Sequence, residues 1–272
     1  MRILVTNDDG IEAAGLPPLV AALAADGHEV VVAAPARNVS GASAAIGRID
    51  PGTRIAAEQR AGFDGAAAAF AVDGPPGVAV LAGVLGAYGE PFDLILSGIN
   101  AGANTGNAVL HSGTIGAVLT GRNFGVSGLA VSLDEGDPWH WETAARLAAE
   151  TVSAVPVDPV VAVNLNAPSL PYGQVRGLRW GTLARSGTVR AVSASTREGT
   201  LEFVLAERDE PERPGTDVAL LAQGYASITV LTGIGALVGG DGVVDAESIR
   251  RLAELQEPGR PQLQPVSPGT GA

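Results

Sequence analysis

Residues 2–34, RILVTNDDGIEAAGLPPLVAALAADGHEVVVAA, decide the fold. The apolar runs at 2–6 and 28–34 are typical of buried strands, and Asp26-Gly27 is typical of a helix end. Before that end, apolar side chains recur at helical spacing at Leu16, Leu19, Val20 and Leu23. A strand, a helix and a strand within about thirty residues form a βαβ unit. Its two strands are therefore parallel and its crossover is right-handed.

The alternation of strands and helices continues as far as residue 165. Strand patterns lie at 92–97, 128–133 and 160–165, and helical patterns lie near 76–88, 113–123 and 139–154. Segment 44–72 is strand-like with turns, although its alanine content weakens that pattern. Strands that alternate with helices predict an α/β protein with a Rossmann-like, doubly wound, mostly parallel sheet.

The pattern changes to β-structure from about residue 175. Alternating runs on either side of Arg197-Glu198-Gly199 predict an added β-hairpin at about 183–208, and 225–231 predicts a further strand. Although this hairpin lies outside the βαβ pattern, we include it in a single predicted α/β domain that spans residues 1–238.

A separate C-terminal region, 239–272, is predicted to contain one helix and a tail. Asp245 is suited to cap a helix near 245–256, and the prolines after it prevent regular structure over 258–272. We expect this Pro-rich tail to be disordered.

The composition excludes several kinds of chemistry. The 272 residues are 46% hydrophobic, which is enough for a substantial core. The chain has no cysteine, and all 17 of its basic residues are arginine. A cysteine nucleophile, a thiolate zinc site, a Schiff-base lysine and a P-loop lysine are therefore excluded.

Charge and hydropathy bear on partners and location. The formal net charge of −12 argues against a broad basic face that binds a nucleic-acid duplex. No apolar run approaches the roughly 18 residues that span a bilayer, and the first residues are strand-like rather than a leader. We expect a soluble, cytoplasmic protein without a membrane partner.

Three polar clusters follow apolar runs along the chain. They are Asn7-Asp8-Asp9-Gly10, Arg37-Asn38-Val39-Ser40-Gly41 and Ser97-Gly98-Ile99-Asn100-Ala101-Gly102-Ala103-Asn104. In open α/β sheets, ligands bind beyond the carboxyl ends of the strands. The three clusters are therefore predicted to meet at one edge of the sheet.

The adjacent carboxylates of Asp8 and Asp9 suggest a metal site. Two such groups repel each other unless a cation or a proton intervenes. The available ligands are oxygens, with only three histidines in the chain, so Mg²⁺ or Mn²⁺ fits better than zinc. The alternative is structural, since aspartates also favour turns and helix caps, and Ser40-Gly41 is ordinary loop sequence.

The long connection from Ser97 to Thr114 ends in Ser112-Gly113-Thr114 at a predicted helix start. Long polar loops in compact domains are usually functional or disordered. Backbone N–H groups and the helix dipole at such a start favour an anion. A plain helix cap is the alternative interpretation.

These clusters resemble the SurE survival-protein nucleotidases in type, order and spacing. The resemblance rests on Leu4 to Gly10, Pro35 to Ser43 and Ser97 to Asn104. It extends over about residues 1–232 through His111 to Thr114, Gly121-Arg122, Ala130 to Leu133, Gly215 to Asp217 and Gly224 to Thr229.

The resemblance implies a phosphomonoester hydrolase acting on nucleoside 5′- and 3′-monophosphates. It implies one divalent cation per subunit, Mg²⁺ or Mn²⁺, held by Asp8, Asp9, Ser40 and Asn100. The substrate phosphate would meet Asn104, Ser112, Gly113 and Thr114, and the catalytic set would be Asp8, Asp9, Asn104 and Ser112. It also implies a dimer or tetramer in which the hairpin and the C-terminal helix are exchanged between subunits.

The sequence departs from the family pattern at several positions. Ala36 stands where aspartate is usual, His111 replaces tyrosine and Thr120 replaces glutamate. Residues 72–77 and those after Thr229 also differ. The metal set is intact, and the departures bear on substrate preference, efficiency and subunit exchange.

The expected mechanism is in-line attack of a metal-activated water on phosphorus, with Asp9 assisting as base and without a phosphoenzyme. A haloacid-dehalogenase-like phosphatase would have its two acids two positions apart, and a zinc deacetylase would need a histidine near Asp8. A glycosyltransferase would need a second similar domain. Two alternatives stay open: a metal- or nucleotide-binding protein with little turnover, and a phosphatase of different substrate preference.

Overall fold

The elements of the first half of the chain alternate between strand and helix. In the computed structural model, which describes residues 1–185, 189–197, 199–207 and 213–233, they are β1 Arg2–Thr6, α1 Leu16–Ala25, β2 Glu29–Pro35, β3 Ala57–Gln59, β4 Ala66–Val72, α2 Pro76–Val84, β5 Leu94–Ala101, a 3-10 helix Gly106–His111 and α3 Gly113–Asn123.

The later elements add further strands. They are β6 Gly128–Leu133, α4 Trp141–Val152, β7 Ala162–Ala167, a 3-10 helix Tyr172–Gln174, β8 Leu178–Trp180, β9 Val189–Arg197, β10 Thr200–Glu207, α5 Asp217–Ala222 and β11 Ala226–Leu231.

One mixed sheet organises the described residues. It has nine strands in the order β3-β4-β2-β1-β5-β6-β7-β11-β8. The six strands from β4 to β7 in this order are mutually parallel, while β3 and β11 run antiparallel to β4 and β7. The predicted α/β class and the doubly wound, mostly parallel sheet are therefore confirmed.

The order of strands reverses at β1, which lies between β2 and β5. Helices α1 and α4 pack together on one face of the sheet, and α2 and α3 pack together on the other. Where the chain winds in opposite directions from a central strand, a crevice opens beyond the carboxyl ends of the strands. This crevice places the loops after β1, β2 and β5 side by side.

The strand β1 shows why both faces of the sheet are covered. Ile3 and Val5 are fully buried in the cluster under α1 and α4, and Leu4 is fully buried in the cluster under α2 and α3. Successive side chains of a strand point to opposite faces, so a continuous apolar run indicates a strand covered on both sides. Burial of each such side chain stabilises the fold by roughly 1.5–3 kcal/mol.

Several element boundaries differ from the sequence-based expectations. Segment 44–72 contains only β3 and β4, because Gly47 and Gly52 have positive φ values that interrupt extended structure. Helix α2 ends at Val84, before Gly86 with φ +87°, and does not reach residue 88. The short helix α5 was not expected, and β5 continues to Ala101 through renewed pairing of Asn100 with Ser132.

The predicted hairpin is present as a separate two-stranded sheet of β9 and β10. Its strands pair antiparallel, with Thr200 opposite Arg197 and Gly199 at φ +78° in the turn. The predicted helix at 245–256, the tail at 258–272 and the boundary after residue 238 lie outside the described residues.

No helix within the described part of the chain is both long and apolar enough to cross a bilayer.

Candidate metal and phosphate site

The turn after β1 is fixed by the side chain of Asn7. Its Nδ2 donates to the carbonyl of Gly10 at 2.9 Å, and its Oδ1 accepts from the Gly10 N–H at 3.1 Å. Gly10 has φ +104°, and a Cβ there would lie 3.0 Å from the carbonyl carbon of Arg37. This close turn holds Asp8 and Asp9 at the carboxyl end of the strand.

Asp8 binds the first turn of α3. Its Oδ2 accepts from the N–H of Gly113 at 3.0 Å, and its Oδ1 accepts from the Thr114 hydroxyl at 2.6 Å. Position 113 requires glycine, because a Cβ there would lie 2.7 Å from the Cβ of Asp8. The N-terminal end of a helix favours a negative charge, so the buried Asp8 is stabilised there.

Asp9 faces the loops after β2 and β5. Its Oδ1 accepts from Asn38 Nδ2 at 3.2 Å and Ser40 Oγ at 3.4 Å, and its Oδ2 accepts from the N–H of Ala101 at 3.3 Å. Burial raises the pKa of Asp9 and the nearby charge of Asp8 raises it further, while the three hydrogen bonds act in the opposite direction. The net direction is upward, and the largest cause is the burial of the carboxyl group.

Asn100 joins the cluster through Thr114. The Thr114 hydroxyl lies 3.2 Å from Asn100 Oδ1 as well as 2.6 Å from Asp8 Oδ1. Asn100 Nδ2 donates to the carbonyl of Gly102 at 2.7 Å, and its Oδ1 is left for the Thr114 hydroxyl. The four sequence-predicted metal ligands thus form two hydrogen-bonded sets, Asp8 with Asn100 through Thr114 and Asp9 with Ser40, which adjoin because Asp8 and Asp9 are consecutive.

These ligands fit a hard divalent cation. Two carboxylates, a hydroxyl and an amide oxygen form the all-oxygen set that Mg²⁺ and Mn²⁺ prefer, and a cation would offset the repulsion between the adjacent carboxylates of Asp8 and Asp9. Among the described residues, no group of three or more His, Cys, Asp or Glu side chains could hold a metal. A cation here would therefore depend on the neutral oxygens of Ser40 and Asn100.

Ser112 begins α3 as its N-cap. Its Oγ accepts from the N–H of Ile115 at 3.2 Å, and its own proton is left to donate to another group. The two other predicted phosphate contacts in this turn already donate to a protein group, because Gly113 N–H and Thr114 Oγ1 both donate to Asp8. The helix start thus combines a cap, a docking site for Asp8 and one hydroxyl donor.

Asn104 lies on the far side of the long loop, next to β6 and β7. Its Nδ2 donates to Ser132 Oγ at 2.9 Å, and its main chain is bound by two asparagines of β7, Asn164 and Asn166. No hydrogen bond among the described residues joins Asn104 to the carboxylate cluster. Asn104 is therefore held by β6 and β7 and not by the carboxylates.

Four residues that contact the site were given no role from the sequence, although Asn38 lies in the second polar cluster. Ser132 and Asn166 are the last residues but one of β6 and β7, so extending the strand-end rule to these two strands would have found them. Asn164, two residues before Asn166, lies on the same face of β7.

Two of the residues at which the sequence is expected to depart from the family pattern lie just before α3 and within it. His111 has an exposed side chain, and its carbonyl accepts from the N–H of Ser43 at 3.3 Å. Thr120 is buried within α3, and its hydroxyl donates to the carbonyl of Gly116 at 2.7 Å. Neither residue alters the cluster around Asp8 and Asp9.

The fold and site define a doubly wound α/β protein with an acidic, oxygen-lined crevice at its switch point, beside the start of a helix. The family model described as survival protein SurE matches residues 3–194. This chain belongs to the SurE family.

Relatives and a solved structure are similar over most of the chain. The 5′-nucleotidase SurE of Aeromonas hydrophila subsp. hydrophila is 39% identical over 240 residues, covering 85% of this chain and 92% of the relative. The 5′-nucleotidase SurE of Stenotrophomonas maltophilia strain K279a is 37% identical over 237 residues, covering 84% and 88%. The crystal structure of the SurE protein from Aquifex aeolicus matches with a TM-score of 0.73 at 25% identity, covering 94% of this chain and all of that chain, 100%.

Proposed function

We propose that this chain is a phosphomonoester hydrolase that releases phosphate from nucleoside 5′- and 3′-monophosphates and requires one Mg²⁺ or Mn²⁺ per subunit. The observation that carries the proposal is the docking of Asp8 on the first turn of α3, which places a carboxylate pair beside a helix start. The relatives named 5′-nucleotidase SurE support the substrate class.

The chain's own oxygens would hold the cation. Asp8, Asp9, Ser40 and Asn100 are the proposed ligands, and a bound divalent cation supplies charge neutralisation and lowers the pKa of a coordinated water. Asp8 is buried, with both carboxylate oxygens already accepting hydrogen bonds. Asp9 is the more accessible of the two, so Asp9 is the candidate to accept a proton from the attacking water.

The phosphate would be held by donors on two walls of the crevice. No hydrogen bond among the described residues uses the proton of the Ser112 hydroxyl at the start of α3, and the Asn104 amide lies beside Ser132 of β6. The N-terminal end of α3 favours an anion at Ser112, and Gly113 and Thr114 complete that turn. Donors fixed in advance stabilise the charge that develops on the phosphate oxygens in the transition state.

A panel assay of phosphate release tests this function. Wild type should release phosphate from 5′- and 3′-nucleoside monophosphates with added Mg²⁺ or Mn²⁺, and a chelator should abolish the release. Asp9→Asn should lose activity, whereas Asp26→Asn, which removes one exposed carboxylate at the end of α1, should keep it.

Other results of the same panel would support the alternatives. Calorimetric Mn²⁺ binding without release from any phosphate ester would favour a binding protein with little turnover. Release from other phosphate esters in preference to nucleotides would favour a different substrate class. A trapped aspartyl-phosphate would contradict the proposed water attack.

A further inference from the structure

The loop from Asn104 to Ser112 is anchored by buried polar side chains that the proposed chemistry does not use. We propose that Asn166, on β7, is a positioning residue that sets Asn104 for its contact with the substrate phosphate. Asp217, at the start of α5, is the second anchor of the same loop. This inference rests on the proposed function for the role of Asn104.

Asn166 binds both main-chain groups of Asn104. Its Oδ1 accepts from the Asn104 N–H at 2.8 Å, and its Nδ2 donates to the Asn104 carbonyl at 3.0 Å. Asn164 Nδ2 donates to the same carbonyl at 2.8 Å. Asn166 is 0% exposed, and its hydrogen bonds to Asn104 are partly buried. A main chain bound on both sides fixes the direction from which the Asn104 side chain leaves it.

Asp217 holds the loop two residues further along. Its Oδ2 accepts from the N–H of Gly106 at 2.8 Å, and its Oδ1 accepts from the N–H groups of Ala184 and Val218, each at 2.9 Å. The carboxylate is fully buried. Several N–H donors stabilise a buried carboxylate, so this anchor is well satisfied. The loop is thereby tied to α5 and to the segment before the hairpin.

Asn166 acts through Asn104 and not on the ligand. Its Oδ1 and its Nδ2 are both used by the Asn104 main chain, and no hydrogen bond joins it to Asp8 or Asp9 within the described residues. Without these bonds Asn104 would move, and a displacement of about 1 Å at a reacting centre costs on the order of 100-fold in rate. The loss of rate on removing Asn166 is therefore the loss of the contact between Asn104 and the substrate phosphate.

A double-mutant cycle tests this dependence. Asn166→Ala should lower kcat/KM for phosphate release on the order of 100-fold, and Asn166→Ser, which is too short to reach the Asn104 main chain, should act alike. In an Asn104→Ala background, Asn166→Ala should cause little further loss, because coupled residues are not additive. Additive losses would overturn the proposal.

Ser227→Ala is the matched control. Ser227 is the partner of Asn166 across β11 and β7, it is fully buried, and its hydroxyl has no hydrogen-bond partner among the described residues. The Ser227→Ala substitution removes a buried hydroxyl beside Asn166 and leaves the hydrogen bonds of Asn104 in place. Wild-type kcat/KM is expected, and a loss equal to that of Asn166→Ala would overturn the proposal.

Hydrogen exchange separates this inference from the proposed function. Amide exchange over residues 101–112 should quicken in Asn166→Ala and Asn166→Ser but not in Ser227→Ala, while exchange in β1 and β5 stays slow. If the wild type releases no phosphate from any nucleotide, the proposed function is wrong. Amide exchange over residues 101–112 then tests by itself whether Asn166 anchors the loop. Unchanged exchange over 101–112 in both Asn166 variants would overturn it.

Discussion

At the scale of residues, Asp8 and Asp9 are neighbours in the chain with different surroundings. Asp8 is 3% exposed and docked on α3, whereas Asp9 is partly exposed between two loops. Consecutive side chains at a strand end point in different directions, so each carboxylate meets different partners. Asp8 therefore makes a fixed contact with α3, while the carboxylate of Asp9 is more accessible to a ligand.

The raised pKa of Asp9 predicts a pH-dependent stability of the metal-free protein. Between the ordinary pKa of an aspartate and the raised one, the folded chain holds a proton that the unfolded chain has released, so stability falls as pH rises through this window. Asp9→Asn removes that dependence. Its metal-free form should melt above wild type at neutral pH, as thermal melting from about pH 4 to pH 8 would show.

The same variant should lose calorimetric Mn²⁺ binding, because one of the two proposed carboxylate ligands is gone. Asp26→Asn should match wild type in both melting and binding, since Asp26 is exposed at the end of α1. Full Mn²⁺ binding by Asp9→Asn, together with a lower melting temperature, would instead indicate a structural turn.

At the scale of elements, α3 approaches the loop after β2 through Gly116. A Cβ at Gly116 would overlap the carbonyl oxygen of Ser43 and lie 2.5 Å from the nitrogen of Ala44. Both atoms belong to backbone, so neither can turn aside as a flexible side chain would. This contact fixes the distance between the start of α3 and the loop that carries Ser40.

Gly116→Ala should therefore destabilise the fold although alanine usually favours a helix by about 1 kcal/mol over glycine. Separation of α3 from the loop should also weaken Mn²⁺ binding, since Ser40 would move away from Asp9. Gly173→Ala is the matched control, because a Cβ at Gly173 meets nothing within 4 Å. Thermal melting and calorimetry would measure both; a stabilised Gly116→Ala protein with full binding would contradict this account.

The parallel core was predictable because its strands are apolar on both faces. β1 and β2 contain continuous apolar runs, and β6 and β7 are apolar except at Ser132, Asn164 and Asn166, so these segments match buried strands in the structure. The helix α5 was not predictable, because its six residues span less than two turns and give no clear period. Its start depends on the Thr216 cap and the buried Asp217, which only the folded chain brings into place.

The candidate site was predictable to the extent that strand ends define it. The rule that ligands bind beyond the carboxyl ends of the strands predicted Asp8, Ser40 and Asn100 at one edge of the sheet. It does not predict which side chains of a loop point toward the site. Asn38 contacts Asp9 where the loop after β2 is bound to the turn after β1, since the N–H of Val39 donates to the carbonyl of Asp8 at 2.8 Å. Such a loop path depends on tertiary contacts, so sequence spacing alone did not reveal it.

At the scale of the whole molecule, the hairpin presents apolar side chains to solvent. Leu201 and Phe203 of β10 are 64% and 63% exposed, and they lie on the same face because side chains alternate along a strand. β9 and β10 form their own two-stranded sheet, apart from the nine-stranded sheet of the described residues. A two-stranded hairpin has little independent stability, so an apolar face on it favours a partner.

We predict that the hairpin makes contacts between subunits in a dimer or tetramer. Replacing Leu201 and Phe203 together by glutamate puts two like charges on the exposed apolar face, so burying that face against a second copy becomes costly. Sedimentation velocity should show assembled wild type at micromolar concentration and smaller species for the double variant. Glu202→Gln alters the opposite face of the same strand and should sediment as wild type. A wild type that is monomeric under these conditions, or a double variant that assembles as wild type does, would show that this face is not the contact between subunits.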